Sequence, residues 1–162
     1  MTIEVGSRLP EATFLEKDAE GIAPVPSAGL FAGRRVVLFG LPGAFTGMCS
    51  TRHVPSFTRV ADRLRAKGVD QIVCVAVNDP QVMAAWSEAT GAGAAGIRML
   101  ADADGSFTRA LGLEFSNPER GLIGRSKRYS LLAEDGVVRV LNLETSRTDC
   151  ELSGGETMLG QL

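Results

Sequence analysis

An α/β fold built around a mixed β-sheet is predicted by three observations. Short apolar runs at 34–40, 70–79 and 97–102 have the length and β-branched character of buried strands. Each is followed by a stretch carrying helical spacing or helix-start signals, the alternation that builds a sheet covered by helices. Closer to the end, two strand-like runs meet at Asp135-Gly136, a strong short-range hairpin signal that adds antiparallel pairing.

The opening MTIEVGSRLPEATFLEKD alternates polar and apolar residues and lacks the basic patch, apolar stretch and cleavage site of a secretory signal. RRVVLFG, 34–40, reads as the first buried strand, and 41–47 as a turn rich in glycine and proline. The spacing of Val54, Phe57, Val60, Ala61 and Leu64 predicts a helix over 48–67, ending at Gly68. Pro55 has no N–H for the carbonyl of Thr51, so this helix should bend or loosen in its first turn. DQIVCVAVND, 70–79, is a second strand, followed by a helix over 79–90 with Asp79 as N-cap and Pro80 at the first helical position. IRMLAD, 97–102, and GSFTRALG, 105–112, form a third strand and a short helix. Residues 113–126, with their glycine, proline and asparagine, read as a long surface loop of the kind that often carries function. KRYSLLAEDGVVRVLNLE, 127–144, is the hairpin, and GETMLGQL a terminal helix. With no repeat, linker or low-complexity tract, one domain over 1–162 is expected.

The formal charge of −2, from 17 Lys+Arg against 19 Asp+Glu, with the basic residues dispersed, argues against nucleic acid as a partner. No apolar run approaches the roughly 20 residues needed to cross a bilayer. A soluble, cytoplasmic protein without membrane contact is therefore expected. Three cysteines, Cys49, Cys74 and Cys150, are an odd number at wide spacings without a Cys-x-x-Cys pair, which is not a secreted disulfide framework. A single histidine, His53, cannot build a multi-histidine centre, so neither a metal nor another cofactor is expected.

The chemistry concentrates in GLPGAFTGMCSTRHVPSF, 40–57, where a cysteine stands at a strand-to-helix junction. In the first turn of a helix a thiol meets unpaired N–H groups and the positive end of the macrodipole, both of which favour the thiolate. Thr46, three residues upstream, is close enough in a tight turn for its hydroxyl to reach the sulfur, and Pro42 stiffens the segment. Position alone leaves open the alternative of an inert core thiol at Cys49. His53 falls four residues after Cys49 on the same helical face and suggests a Cys–His dyad. Without a third orienting group, a structural or substrate-gating His53 is the better reading.

Pro42, Thr46 and Cys49 in PGAFTGMC match the P-x-x-x-T-x-x-C signature of peroxiredoxins, and PGAFT…CSTRHVPSF resembles the type II plant and peroxiredoxin-5 branch. The likeness continues through VAVNDPQVMAAW, RYSLLAEDGVVRVLNLE and the final ETML. Gly47-Met48 stands where many members have Pro-Thr, outside the three-residue signature. The resemblance implies a thioredoxin-like fold, a central mixed sheet flanked by helices with an N-terminal extension, and reduction of hydrogen peroxide or organic hydroperoxides. It makes Cys49 the peroxidatic cysteine, passing through a sulfenic acid. Thr46 would offer its hydroxyl to sulfur and peroxide, with backbone amides of Thr46 and Cys49 as further donors. Arg128, in SKRYSLL, would be the cation that stabilises the thiolate and holds the peroxide oxygens. Read without the resemblance, Arg128 is an exposed charge at a strand end.

Three routes back from the sulfenic acid stay open. Cys74, in IVCVAV, matches a position where plant type II relatives carry a cysteine able to resolve, although its apolar strand also suits a buried inert thiol. Cys150, in the polar TSRTDCELSGG, lies in the region that some peroxiredoxin-5 relatives use. The third route is an external reductant, glutathione with glutaredoxin, or thioredoxin. The family tendency is a homodimer, for which Phe45, Trp86 and Phe115 are candidates, as they are for the core. A redox sensor with little turnover is the competing function, while a general disulfide reductase is disfavoured by the missing Cys-x-x-Cys.

Overall fold

The structure, a computed structural model, describes residues 2–145 and 151–162. Among these residues seven strands form one sheet, in the order β2 (Gly21–Pro26), β1 (Thr13–Asp18), β5 (Ile97–Ala101), β4 (Gln71–Ala76), β3 (Arg35–Gly40), β8 (Tyr129–Glu134) and β9 (Val137–Leu143). Its centre is the parallel trio β3 (Arg35–Gly40), β4 (Gln71–Ala76) and β5 (Ile97–Ala101). Alternate residues of β3 feed two cores, Val37 and Phe39 on one face, Val36 and Leu38 on the other, as the two-residue period of a strand requires. Both faces are covered, which explains why these strands read as continuous apolar runs.

The hairpin at Asp135-Gly136 joins β8 (Tyr129–Glu134) to β9 (Val137–Leu143), and β8 runs antiparallel to β3. Both turn residues take positive φ, 49° and 76°, as a two-residue hairpin turn of this kind demands. The N-terminal segment is more than an extension. β1 (Thr13–Asp18) and β2 (Gly21–Pro26) form a hairpin whose first strand meets β5 at Leu15↔Ala101, and α1 (Ser27–Phe31) follows.

The long helix departs from its prediction in the place Pro55 marks. Gly47 and Met48 are helical, Cys49–His53 forms a π-turn, and α2 (Val54–Ala66) continues as a regular helix. The N–H of Val54 bonds five residues back to the carbonyl of Cys49. An α-helical bond from Pro55 to Thr51 is impossible and the ring would press on that carbonyl, so one extra residue is let into the turn. α3 (Pro80–Thr90) begins as expected, with Asp79 Oδ1 accepting from the Val82 N–H at 2.8 Å. α4 (Ser106–Leu111) is capped from Asp102, whose carboxylate accepts from the amides of Phe107 and Thr108 and the Thr108 hydroxyl.

The predicted loop over 113–126 is instead a second, two-stranded sheet of β6 (Glu114–Asn117) and β7 (Leu122–Ser126), joined by a 3-10 turn at Pro118–Arg120. The proline and Gly121, at φ 72°, punctuate a hairpin turn rather than an open loop. The terminal helix α5 (Gly155–Gly160) lies against α2 so closely that a Cβ on Gly155 would overlap the Ser56 backbone.

Candidate active site

The site grows from the end of β3. The Tyr129 ring lies over the Cα of Gly40 and leaves no room for a side chain there. The following turn is held from three directions: Arg125 Nη1 donates to the Pro42 carbonyl at 3.0 Å, the Ala44 N–H to Asn78 Oδ1 at 2.9 Å, and the Thr46 hydroxyl to the Gly43 carbonyl at 2.7 Å. These bonds sustain Phe45 at φ 62°, a left-handed conformation that costs a non-glycine residue about 1–2 kcal/mol. The carbonyl of Thr46 accepts the first helical bond, from the Ser50 N–H at 3.1 Å, so Cys49 falls in the first helical turn. Trp86 ties that turn to α3, its Nε1 donating to Ser50 Oγ at 2.9 Å. Trp86 is fully buried and belongs to the core rather than to a subunit contact.

Antiparallel pairing of Gly40 with Tyr129 brings Arg128 beside the same turn. Arg128 is 4% exposed, and the expectation of an exposed strand-end charge gives way to a buried guanidinium. Its Nη2 donates to Cys49 Sγ at 3.3 Å, and its Nη1 lies 3.1 Å from His53 Nδ1. His53 Nε2 is 3.0 Å from the Ser153 carbonyl, which can only accept. The proton therefore sits on Nε2, and Nδ1 offers a lone pair to Arg128. Burial and then the adjacent guanidinium push the His53 pKa down to about 3, against a smaller upward pull from the Ser153 carbonyl, so the ring is neutral. His53 thus reaches Cys49 through Arg128 and is not its base.

Among the described residues no carboxylate forms an ion pair with Arg128, and its Nε is the single buried side-chain N or O without a hydrogen-bond partner. A cleft of about 210 Å³ opens beside it. Pro42, Thr46, Gly47, Met48 and Arg128 line one side, and Phe115, Asn117, Arg120 and Leu122 of the β6–β7 unit line the other. Cys49 is fully buried behind this wall. The Thr46 hydroxyl, expected to reach the sulfur, gives its hydrogen to Gly43, and its amide also points to that carbonyl at 3.4 Å. What Thr46 retains is oxygen lone pairs beside the cleft.

Residues 4–159 match the family model described as Redoxin. Peroxiredoxin-2C of Oryza sativa subsp. japonica is 45% identical over 161 residues, covering 99% of this chain and 98% of that protein. The chain belongs to the peroxiredoxin family. This peroxiredoxin is also 53% identical over 147 residues to the chloroplastic peroxiredoxin-2E-2 of Oryza sativa subsp. japonica, covering 88% of the chain and 65% of the relative. It thus spans about two thirds of that relative's length. Among solved structures it is similar to reduced Prx3 of Vibrio vulnificus in complex with H2O2, 47% identical with a TM-score of 0.91 and 99% of each chain covered. The fold is the thioredoxin-like one that the resemblance implied.

Of the two further thiols of this peroxiredoxin, Cys74 is fully buried in the middle of β4, opposite Phe39 and Met99 in its neighbours. Burial pushes its thiol well up, the nearby Cys49 adds to that, and Arg128 opposes it. Cys150 lies outside the described residues. Among the described residues no three His, Cys, Asp or Glu side chains come together to hold a metal ion. Asn78, Arg125 and Ser153 are parts of the site that sequence reasoning missed. The Ser153 contribution is a backbone carbonyl, for which no residue type is a signal.

Proposed function

We propose that this peroxiredoxin is a thiol-dependent peroxidase acting on hydrogen peroxide and organic hydroperoxides, with Cys49 as the peroxidatic residue. The observation that carries this reading is the buried guanidinium of Arg128 held 3.3 Å from Cys49 Sγ, with no carboxylate paired to it among the described residues. A buried cation lacking an anion is costly, and the thiolate is the anion that geometry offers. The thiolate attacks one peroxide oxygen, an S–O bond forms as the O–O bond breaks, and the leaving oxygen departs as alkoxide or hydroxide and takes up a proton. Cys49 becomes a sulfenic acid, oxidised by two electrons as the peroxide is reduced to alcohol or water. Arg128, whose Nε has no partner among the described residues, and Thr46, with oxygen lone pairs, both line the cleft and can serve this chemistry as donor and acceptor. Pro42, buried in the cleft wall, keeps that side rigid.

The return step is assigned to an external thiol, glutathione with glutaredoxin, or thioredoxin. The first thiol attacks the sulfenic sulfur, expels water and leaves a mixed disulfide; a second thiol releases Cys49 reduced and departs as the disulfide. The burial of Cys74 and its raised thiol favour this route over an internal one. The same reading makes the protein a hydroperoxide scavenger in redox homeostasis. A cytoplasmic setting fits the two buried free thiols, Cys49 and Cys74. No helix among the described residues is long and apolar enough to cross a membrane. A homodimer is proposed through the turn bearing the exposed Phe45, close to the cleft that Phe115 lines.

The test is to treat the fully reduced protein with one equivalent of hydrogen peroxide, quench with an alkylating agent and map each cysteine by mass spectrometry. Cys49 should be oxidised first and stop as a sulfenic acid until thiol is added. A Cys49–Cys74 or Cys49–Cys150 disulfide would replace the external thiol by an internal one, and a Cys49 that stays alkylatable would end the peroxidase reading.

A further inference from the structure

His53 has an arrangement that the reaction as written does not use. Its ring sits among Phe39 and Phe57, with centroids at 5.2 and 5.8 Å, and is fully buried. One nitrogen is tied to the Ser153 carbonyl and the other to Arg128. Ser153 is itself fixed, its N–H and hydroxyl both donating to Glu144 Oε2 at 2.9 and 2.6 Å. A second tether binds the same segments, the Gly155 N–H donating to Ser56 Oγ while that hydroxyl donates to the His53 carbonyl. The imidazole is thus clamped between a C-terminal turn and a guanidinium.

We propose that His53 is a positioning residue for the peroxidase reaction, its neutral imidazole orienting the Arg128 guanidinium against Cys49 Sγ while the Ser153 carbonyl fixes the tautomer. The inference rests on the peroxidase reading of Cys49. With only the Nη2–Sγ bond the guanidinium plane could pivot about the sulfur; the bond from Nη1 to Nδ1 removes that freedom. The choice of acceptor has a physical reason. A carboxylate at this position would hold Arg128 equally well but would neutralise it and compete with the thiolate. A neutral nitrogen directs the donor fork and leaves the full positive charge for sulfur and peroxide.

Two amide substitutions separate the functions of the two ring nitrogens. In His53→Asn the side-chain oxygen can take the place of Nδ1 and keep the acceptor for Arg128; in His53→Gln the amide reaches the Ser153 side and the acceptor is lost. The measurement is the second-order rate with hydrogen peroxide, paired with the ultraviolet absorbance of the thiolate at neutral pH. We expect His53→Asn to stay within about threefold of the parent, and His53→Gln to fall about tenfold or more with a smaller thiolate signal, the scale of one orienting hydrogen bond. Equal rates in the two variants, whether both lowered or both unchanged, would overturn the proposal.

Because His53 is the one histidine of the chain, nitrogen NMR of the unmodified protein gives an independent reading that survives any folding defect in the variants. A neutral ring protonated on Nε2 is expected. An Nδ1-protonated ring or an imidazolium at neutral pH would sink the proposal even if the variants behaved. A parent protein whose Cys49 fails to react with peroxide would remove the peroxidase reading as well, whereas normal parental reactivity with equal variants removes this inference alone.

Discussion

Cys49 and Cys74 lie in the same apolar core cluster, and neither exposes any surface. Their surroundings nevertheless differ in the two features that decide thiol chemistry. Cys49 stands in the first turn of a helix and receives a hydrogen bond from a buried guanidinium. Cys74 stands mid-strand, its backbone spent on β3 and β5, in surroundings that push its thiol up. Exposure therefore does not distinguish them. Position at a helix start and the placement of one cation do, and on the proposed reading they put the reactive thiol in the junction after β3.

The largest effect expected from breaking this contrast is at the sulfur itself. Cys49→Ser should abolish peroxide consumption in a coupled thiol assay, whereas Cys74→Ala should leave the rate with external thiol within about twofold and cost about 1 kcal/mol in denaturant unfolding, the scale of a small cavity. If Cys74→Ala stopped turnover at the mixed-disulfide stage, the strand thiol would be a participant.

Removing the cation should be the next largest. Arg128→Gln keeps part of the length and hydrogen bonding but deletes the charge, and should lower the second-order rate with peroxide about 10²–10³-fold, the scale of a lost transition-state donor. Arg128→Lys should recover little of it. A point charge cannot reach sulfur and His53 with the two arms that the guanidinium uses at 3.3 and 3.1 Å. Full activity in Arg128→Lys would show that charge alone suffices and that the fork is incidental.

How far the site could be read from the chain follows from how local its parts are. Pro42, Thr46 and Cys49 lie within one turn, and the strand, turn and helix signals around them are all short-range. The loosened helix start was legible through Pro55 and takes the form of a π-turn. Arg128 is 79 residues from Cys49 and arrives through the pairing of β3 with β8, which periodicity cannot register, so only the family likeness pointed to it. The β6–β7 unit that walls the cleft reads as a loop in the sequence because four- and five-residue strands around a proline and two glycines carry too little alternation. The β1–β2 hairpin carries a weak sequence signal for a related reason. β2 is mostly exposed and contains two prolines, the composition of an edge strand and not of a core one.

An effect on stability, with no change of rate at neutral pH, sharpens the comparison from the side of His53. Its pKa is about 3 in the folded chain against an ordinary 6.5, so between these values the unfolded state holds a proton that the folded state does not. Stability is then present in full above the unfolded value and is lost as pH falls through 6.5 toward 3, at up to about 1.4 kcal/mol per pH unit. Other groups titrate over the same range, so the measurement is the difference between the parent and His53→Asn in urea unfolding at several pH values. The parent should lose stability relative to the variant on acidification, with the two curves parallel above pH 6.5. Parallel curves throughout would mean that the ring is protonated inside the fold. Arg128 would then face a second cation instead of a lone pair, and the guanidinium would have to be held against Cys49 by other means.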